Sequence, residues 1–257
     1  MITKTELEGW ARFKQLSLGN TEKDYLLDII LFSISKNTKN ELVFKGGTCL
    51  AKFYQLPRFS EDLDFSATAS IDVSKLIEAI IIDLAKFGIN SWQHQKREPY
   101  NSILITLRME GPLFAGKPMT YAKVGIDINL KSSVTLPPDL LTYRSAYPEV
   151  PLYTISCMKK EEIFAEKIRA LLTRTKSRDL FDLHFLLGQG TTASVDLLQS
   201  KMEYYKEEFS LKKVLSRILE FQEVWDEEMK SLTTKNVSFQ TVRKEVSKKM
   251  NEIYGEK

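Results

Sequence analysis

With 257 residues, 43% hydrophobic and 28% charged, the chain is long enough to bury a large core and too apolar to stay disordered. Two cysteines, Cys49 and Cys157, exclude a disulfide framework, and the longest apolar run, AIIIDLAKFGI, is too short and too charged to span a bilayer. We therefore expect a cytoplasmic protein with no membrane partner; the net charge of +3 does not identify any other partner.

The N-terminal MITKTELEGWARFKQL carries charges throughout and lacks the apolar stretch of a signal peptide. The first 40 residues read as helix, since KDYLLDIILFSISK shows a broad apolar stripe. ELVF reads as a strand. KGGT is a glycine turn opening the helix CLAKFYQL, which Pro57 should end. RFSEDLDFSA follows as a strand, then the amphipathic helix DVSKLIEAIIIDLAKFG, closed by Gly88. SWQHQKRE and SILITLRME read as paired strands, and GPLFAGKPM as a loop.

YAKVGIDINLK alternates with a period of two. Val124, Ile126, Ile128 and Leu130 take one face; Lys123, Gly125, Asp127 and Asn129 take the other. Beyond TLPPD no element is expected until PLYTIS. From Lys159 the pattern turns helical, in KKEEIFAEKIRALLTR, in SRDLFDLHFLL and in nearly everything from Asp196 to the end. These signals give an α+β fold: a mixed sheet flanked by helices over residues 1–155, then a helical domain over 156–257.

The chemistry is concentrated in FSEDLDF. In a strand, Asp62 and Asp64 project to the same side, with Leu63 and Phe65 opposite. Their Cα atoms then lie roughly 6.5–7 Å apart, close enough to share a divalent cation. Without one, the two charges repel and one carboxyl holds its proton more tightly. Asp127, on the polar face of its own strand, is the third candidate. Hard oxygen ligands suit Mg²⁺, or Mn²⁺, beside substrate phosphates. Gly46 and Gly47 permit close backbone approach, and Thr48 stands at a helix start where N–H groups and a hydroxyl can hold phosphate. Residues 167–178, KIRALLTRTKSR, hold five basic side chains and no acid, a patch suited to phosphate.

On the helix EEIFAEKIRALL, Ile163, Ile168, Leu171 and the alanines form the buried side. Glu162, Glu166 and Arg169 share another face, with Lys167 beside it. Arg178 and Asp182 are spaced for an i,i+4 pair. His94 and His184 have no metal-ligand spacing and read as structural.

Taken in order, FKGGTCLAKFY…RFSEDLDF, KVGIDINL and FAEKIRALLTR…RDLFDL resemble the AbiEii/AbiGii-type nucleotidyltransferase toxins, which belong to the DNA polymerase beta-like superfamily. The likeness covers residues 40–187. It implies that Gly46, Gly47 and Thr48 meet the nucleoside triphosphate, that Asp62 and Asp64 bind metal, and that Asp127 completes the acids with Lys123 four residues ahead. It implies catalytic roles for Lys167 and Asp182, beside Asp62, Asp64 and Asp127, and nucleotide-binding roles for Lys123, Arg169 and Arg178. Lys167, Arg169 and Arg178 are then expected to face a cleft and grip phosphate or RNA. Cys49 stands where a small or hydroxylated residue is more usual. The implied activity is metal-dependent transfer of a nucleoside monophosphate from an NTP to an acceptor hydroxyl, with the tRNA 3′ end as a possible acceptor. The implied setting is a toxin–antitoxin or phage-defence system with a cognate antitoxin. A kinase-like phosphotransferase and a non-catalytic nucleotide- or RNA-binding module are the alternatives.

Overall fold

Seven strands and ten α-helices of the chain are described in a computed structural model, over residues 1–131, 133–203, 206–230, 232–233 and 237–255. The chain divides into two units. The first comprises Met1–Phe53, Phe59–Val134 and Pro138–Cys157; the second comprises Tyr54–Arg58, Thr135–Pro137 and Met158–Lys257.

The first unit begins with α1 (Lys4–Lys14), set by a capping box between Thr3 and Glu6, and α2 (Leu18–Asn37), capped by Ser17. Then come β1 (Leu42–Lys45), α3 (Gly46–Phe53), β2 (Asp62–Ala67) and α4 (Val73–Lys86). The unit closes with β3 (Ser91–Arg97), β4 (Ser102–Met109), β5 (Ala122–Asn129), β6 (Asp139–Tyr143) and β7 (Tyr153–Cys157). The strands make one mixed sheet in the order β3-β4-β5-β2-β1-β7-β6. β2 runs parallel to β5 and β1 parallel to β7; the other pairs are antiparallel.

Alternation decides which sheet face is buried. Leu63, Phe65, Ile105, Leu107, Val124, Ile126 and Ile128 are at most 2% exposed, and α2 and α4 pack against the sheet. The polar residues between them point to the opposite face. Three expectations need correcting. α3 stops at Phe53, before Pro57 can act, and Gln55 takes a left-handed φ of 64°. β5 ends at Asn129, so Leu130 falls outside the strand and is exposed. β6 was not expected, because DLLTY gives only five residues of pattern; its register against β7 defines it.

A buried charge network ties three helices and a loop of this unit together. Lys52, at the end of α3, pairs with Asp24 at 2.9 Å and with Asp28, which is fully buried. Lys14 of α1 also pairs with Asp24, and Ser145 donates to Asp28 at 2.5 Å. Burial alone would lower the Lys52 pKa, yet Asp24 and Asp28 outweigh it and raise it.

The second unit contains α5 (Lys160–Thr173), α6 (Ser177–Gly188), α7 (Val195–Glu203), α8 (Leu211–Ile218), α9 (Trp225–Lys230) and α10 (Phe239–Tyr254). Phe164, Ile168, Leu171, Leu183, Phe221, Val242 and Val246 are fully buried. Glu162 departs from the expected polar face. It is fully buried, accepts the backbone N–H groups of Thr135 (2.7 Å) and Leu136 (2.9 Å), and pairs with Lys201. The helical expectation at residues 204–205, 231, 234–236 and 256–257 lies outside the described residues.

Removing one member of a buried ion network leaves its partners uncompensated. Lys52→Met should therefore destabilise the protein by about 3–5 kcal/mol, read by urea denaturation. A loss under about 1 kcal/mol would mean that solvent reaches Asp24 and Asp28 after all.

Candidate active site

The parallel pairing of β2 with β5 brings the predicted acids together. Asp64 lies directly beside Asp127, and Asp62 beside Gly125. All three carboxylates therefore stand on the face of the sheet away from α2 and α4. Leu63 and Phe65, the residues between and after the β2 acids, are fully buried on the other face. Glu61, the remaining acid of FSEDLDF, is not part of the cluster; it pairs with Lys23 of α2.

Two glycines make room for the carboxylates. Gly46 has φ +76°, and a Cβ there would lie 2.2 Å from Asp64 Oδ2. A Cβ on Gly125 would lie 2.7 Å from Asp62 Oδ1. A side chain at position 125 would push the Asp62 carboxylate aside, and at position 46 the left-handed φ disfavours any other residue as well. Gly46 was expected to approach a ligand; what it approaches here is Asp64. Gly125 had been placed on the polar face, but its function emerges only from the strand register. Thr48 is also committed within the protein: it is buried, and its hydroxyl donates to the backbone carbonyl of Asp62. That bond fastens the start of α3, with the buried Gly47, to β2.

The electrostatics follow from this crowding. Burial, then the charge of Asp64, pushes the Asp127 carboxyl up to about 6; Ser102 and Lys45 oppose the rise and Asp62 adds to it. Lys45 was not predicted. It sits on β1 directly opposite Asp64 and is 9% exposed. The alternation that puts Asp64 on this face also puts Lys45 there. Asp127 Oδ1 is buried with no hydrogen-bond partner among the described residues. No three His, Cys, Asp or Glu side chains among the described residues close on one point as a finished metal cage. The acids form instead a row of hard oxygen donors, with the unpartnered Oδ1 available to a cation. That donor set fits Mg²⁺ or Mn²⁺.

Lys123 shares the face with Asp127 but stands four residues away, roughly 13 Å along the strand. Its cross-strand neighbour is Arg108.

The remaining candidates lie in the second unit. Lys167 contacts Asp179 (2.9 Å) and Asp182 (2.6 Å) and is 7% exposed. Asp182 does not pair with Arg178, as the i,i+4 spacing had led us to expect. It receives a bidentate contact from Arg58, at 2.6 and 2.7 Å. Arg174 forks onto Asp179 in the same way, at 2.8 and 3.1 Å. The result is a ladder, Arg58–Asp182–Lys167–Asp179–Arg174. Burial would lower the Lys167 pKa, but Asp179 and Asp182 raise it, so the ammonium stays charged. Arg178 is half-buried on α6. Arg169 lines a cavity of about 630 Å³ with Thr173, Lys212, Lys213 and Arg217.

The Asp127 carboxyl holds its proton to about pH 6 in the folded chain, against an ordinary value of 3.8. Ionisation therefore favours the unfolded chain, and the cost is complete above pH 6 and absent below about pH 4. In EDTA at pH 8, Asp127→Asn should melt about 2–4 °C higher than wild type, as expected for ~1 kcal/mol in a chain of this size. The gap should close near pH 4. An equal or lower melting temperature at pH 8 would show that the ionised carboxylate is stabilised after all.

Comparison with known proteins gives the family and the fold. No match is found among curated proteins. The nucleotidyltransferase toxin MenT4 from Mycobacterium tuberculosis superposes with a TM-score of 0.70 at 20% identity, covering 97% of this chain and 89% of that one. JHP933 from Helicobacter pylori superposes at 0.60 and 20% identity, covering 93% of each chain. At that identity the superpositions speak for the fold alone: a mixed sheet with flanking helices, followed by a helical region. The family model for the nucleotidyl transferase AbiEii toxin of type IV toxin–antitoxin systems matches residues 29–249, most of the sequence, and the chain belongs to that family.

Proposed function

We propose that the chain transfers a nucleoside monophosphate from an NTP to a hydroxyl of an RNA acceptor, with the tRNA 3′ end as the specific candidate. The observation that carries this reading is the row Asp62–Asp64–Asp127 on one sheet face, given room by Gly46 and Gly125. Three carboxylates held side by side are costly unless cations join them, and phosphoryl transfer supplies such a use.

Asp62, Asp64 and Asp127 would hold the divalent ion. A bound Mg²⁺ or Mn²⁺ supplies charge neutralisation of the triphosphate and of the leaving pyrophosphate. The backbone at Gly46–Gly47 orients the phosphates at the start of α3. Lys45, beside Asp64, adds a fixed positive charge on the same face. Asp127 accepts the proton of the attacking hydroxyl. The hydroxyl oxygen bonds to the α-phosphorus as the bond to the bridging oxygen breaks, and pyrophosphate departs. Most of the rate gain then comes from positioning and charge.

Lys167 and Asp182 act as positioning residues in this reading. Both are already saturated by partners in the ladder, which sets the packing of α5 on α6. A cognate antitoxin follows from the type of system to which the family belongs.

Incubation with Mg²⁺, total tRNA and either α- or γ-labelled NTP tests the reading. Label from the α position should enter RNA and label from the γ position should not; the reverse would mean a kinase. Asp64→Asn should abolish transfer. If the wild type moves neither label, yet binds RNA as Asp64→Asn does, the chain is a binding module. Gly125→Ala should fold normally but lose about 10–100-fold in rate, because a displaced Asp62 misaligns the site. Full activity in Gly125→Ala would separate Asp62 from the chemistry.

A further inference from the structure

The sheet face that carries the acids continues outward across β4 and β3, and its character changes there. Register assigns the residues. In one row, Asp64 of β2 is followed by Asp127 of β5, Leu104 of β4 and Arg97 of β3. In the next, Asp62 is followed by Gly125, Thr106 and Gln95. Two residues further along, Lys123 lies opposite Arg108, and Arg108 opposite Trp92. The register shifts between Gln93 and Gln95, which places His94 in an irregularity of β3. Desolvation, and then the charges of Arg108 and Lys123, lower the His94 pKa. Thus Arg108 and Lys123 form a pair of like charges across the strands, and His94 beside them is held toward its neutral form.

This arrangement is unfavourable unless something negative joins it. Like charges directly opposite each other on a sheet repel. Among the described residues no carboxylate pairs with Arg108 or Lys123, and the buried Arg108 Nε has no hydrogen-bond partner. Aromatic rings flank the same end. Trp92 meets Tyr121 edge-on at 4.9 Å, and Tyr121 stacks on Phe114 at 4.8 Å and 10°. Lys123, His94, Gln95 and Arg97 are exposed, and Trp92, Tyr121 and Phe114 are half-exposed.

We infer that this outer face of β3, β4 and β5 is the track on which a single-stranded RNA end lies as it enters the acid site. Lys123, Arg108 and Arg97 take backbone phosphates, and Trp92 with Tyr121 offers a base a stacking surface. The track runs roughly 13 Å from Lys123 to Asp127, which delivers the terminal hydroxyl to the acids. Lys123 thereby serves the acceptor and not the nucleotide. This inference rests on the RNA-acceptor reading above.

The test uses the full chain and a 5′-fluorescein RNA hairpin whose single-stranded 3′ end finishes in CCA. Anisotropy gives the affinity between 50 and 200 mM salt, and α-label transfer gives KM for the same RNA. Lys123→Glu, alone and with Arg108→Glu, should weaken binding at least tenfold and raise KM for RNA. KM for NTP should stay unchanged. Lys123→Gln should flatten the slope of log affinity against log salt by about 0.7. Trp92→Ala should weaken binding by about tenfold with little change in that slope. Lys123 is exposed, so its variants should keep the wild-type melting temperature; a variant that melts early is set aside for Lys123→Gln. If the wild type binds and labels RNA but both Lys123 variants match it, the track lies elsewhere and the transferase reading stands. If the wild type neither binds nor labels RNA, both readings fall together.

Discussion

Like-charge crowding is the constraint around which the first unit is built. Asp64 and Asp127 occupy adjacent positions on neighbouring strands, and Asp62 stands one row away. Nothing in the folding of a sheet favours that placement. The surrounding residues make it tolerable: the two glycines leave space for the carboxylates, Lys45 offsets charge from β1, and Thr48 locks the helix start to β2. The apolar side of the same strands supplies the stability that the polar side consumes. Leu63, Phe65, Ile126 and Ile128 are almost completely buried, so the register that gathers the acids is fixed by the core behind them.

That coupling explains what the sequence revealed. Period-two alternation is a local signal. It was enough to place Asp62, Asp64 and Asp127 on polar faces and to separate the sheet from the helical region. The parallel pairing that joins β2 to β5 is not local, since some sixty residues separate the strands; only the resemblance to a known family put those acids together in advance. Lys45 and Gly125 were visible on the correct faces, but their roles required the register. β6 offered too little pattern to be read at all.

The helical unit was harder to read for a different reason. Its decisive contacts join residues far apart in the chain. Arg58 reaches Asp182 across 124 positions, and Lys201 reaches Glu162 across 39. From helical spacing alone, Glu162 looked solvated and Asp182 looked paired with Arg178. Burial reversed both. A fully buried carboxylate needs several donors, and those donors come from wherever the fold can supply them.

The chain does not finish one unit before it starts the other. It leaves the sheet for Tyr54–Arg58, returns, leaves again for Thr135–Pro137, returns, and departs finally at Met158. The short excursions are not idle: one carries Arg58 to Asp182, and the other brings the backbone of Thr135 and Leu136 to Glu162. Cutting the gene near codon 158 would thus sever each half from side chains or amides that the other half's sequence encodes. The sheet unit and the helical unit are covalently interleaved, so no single cut releases either one whole.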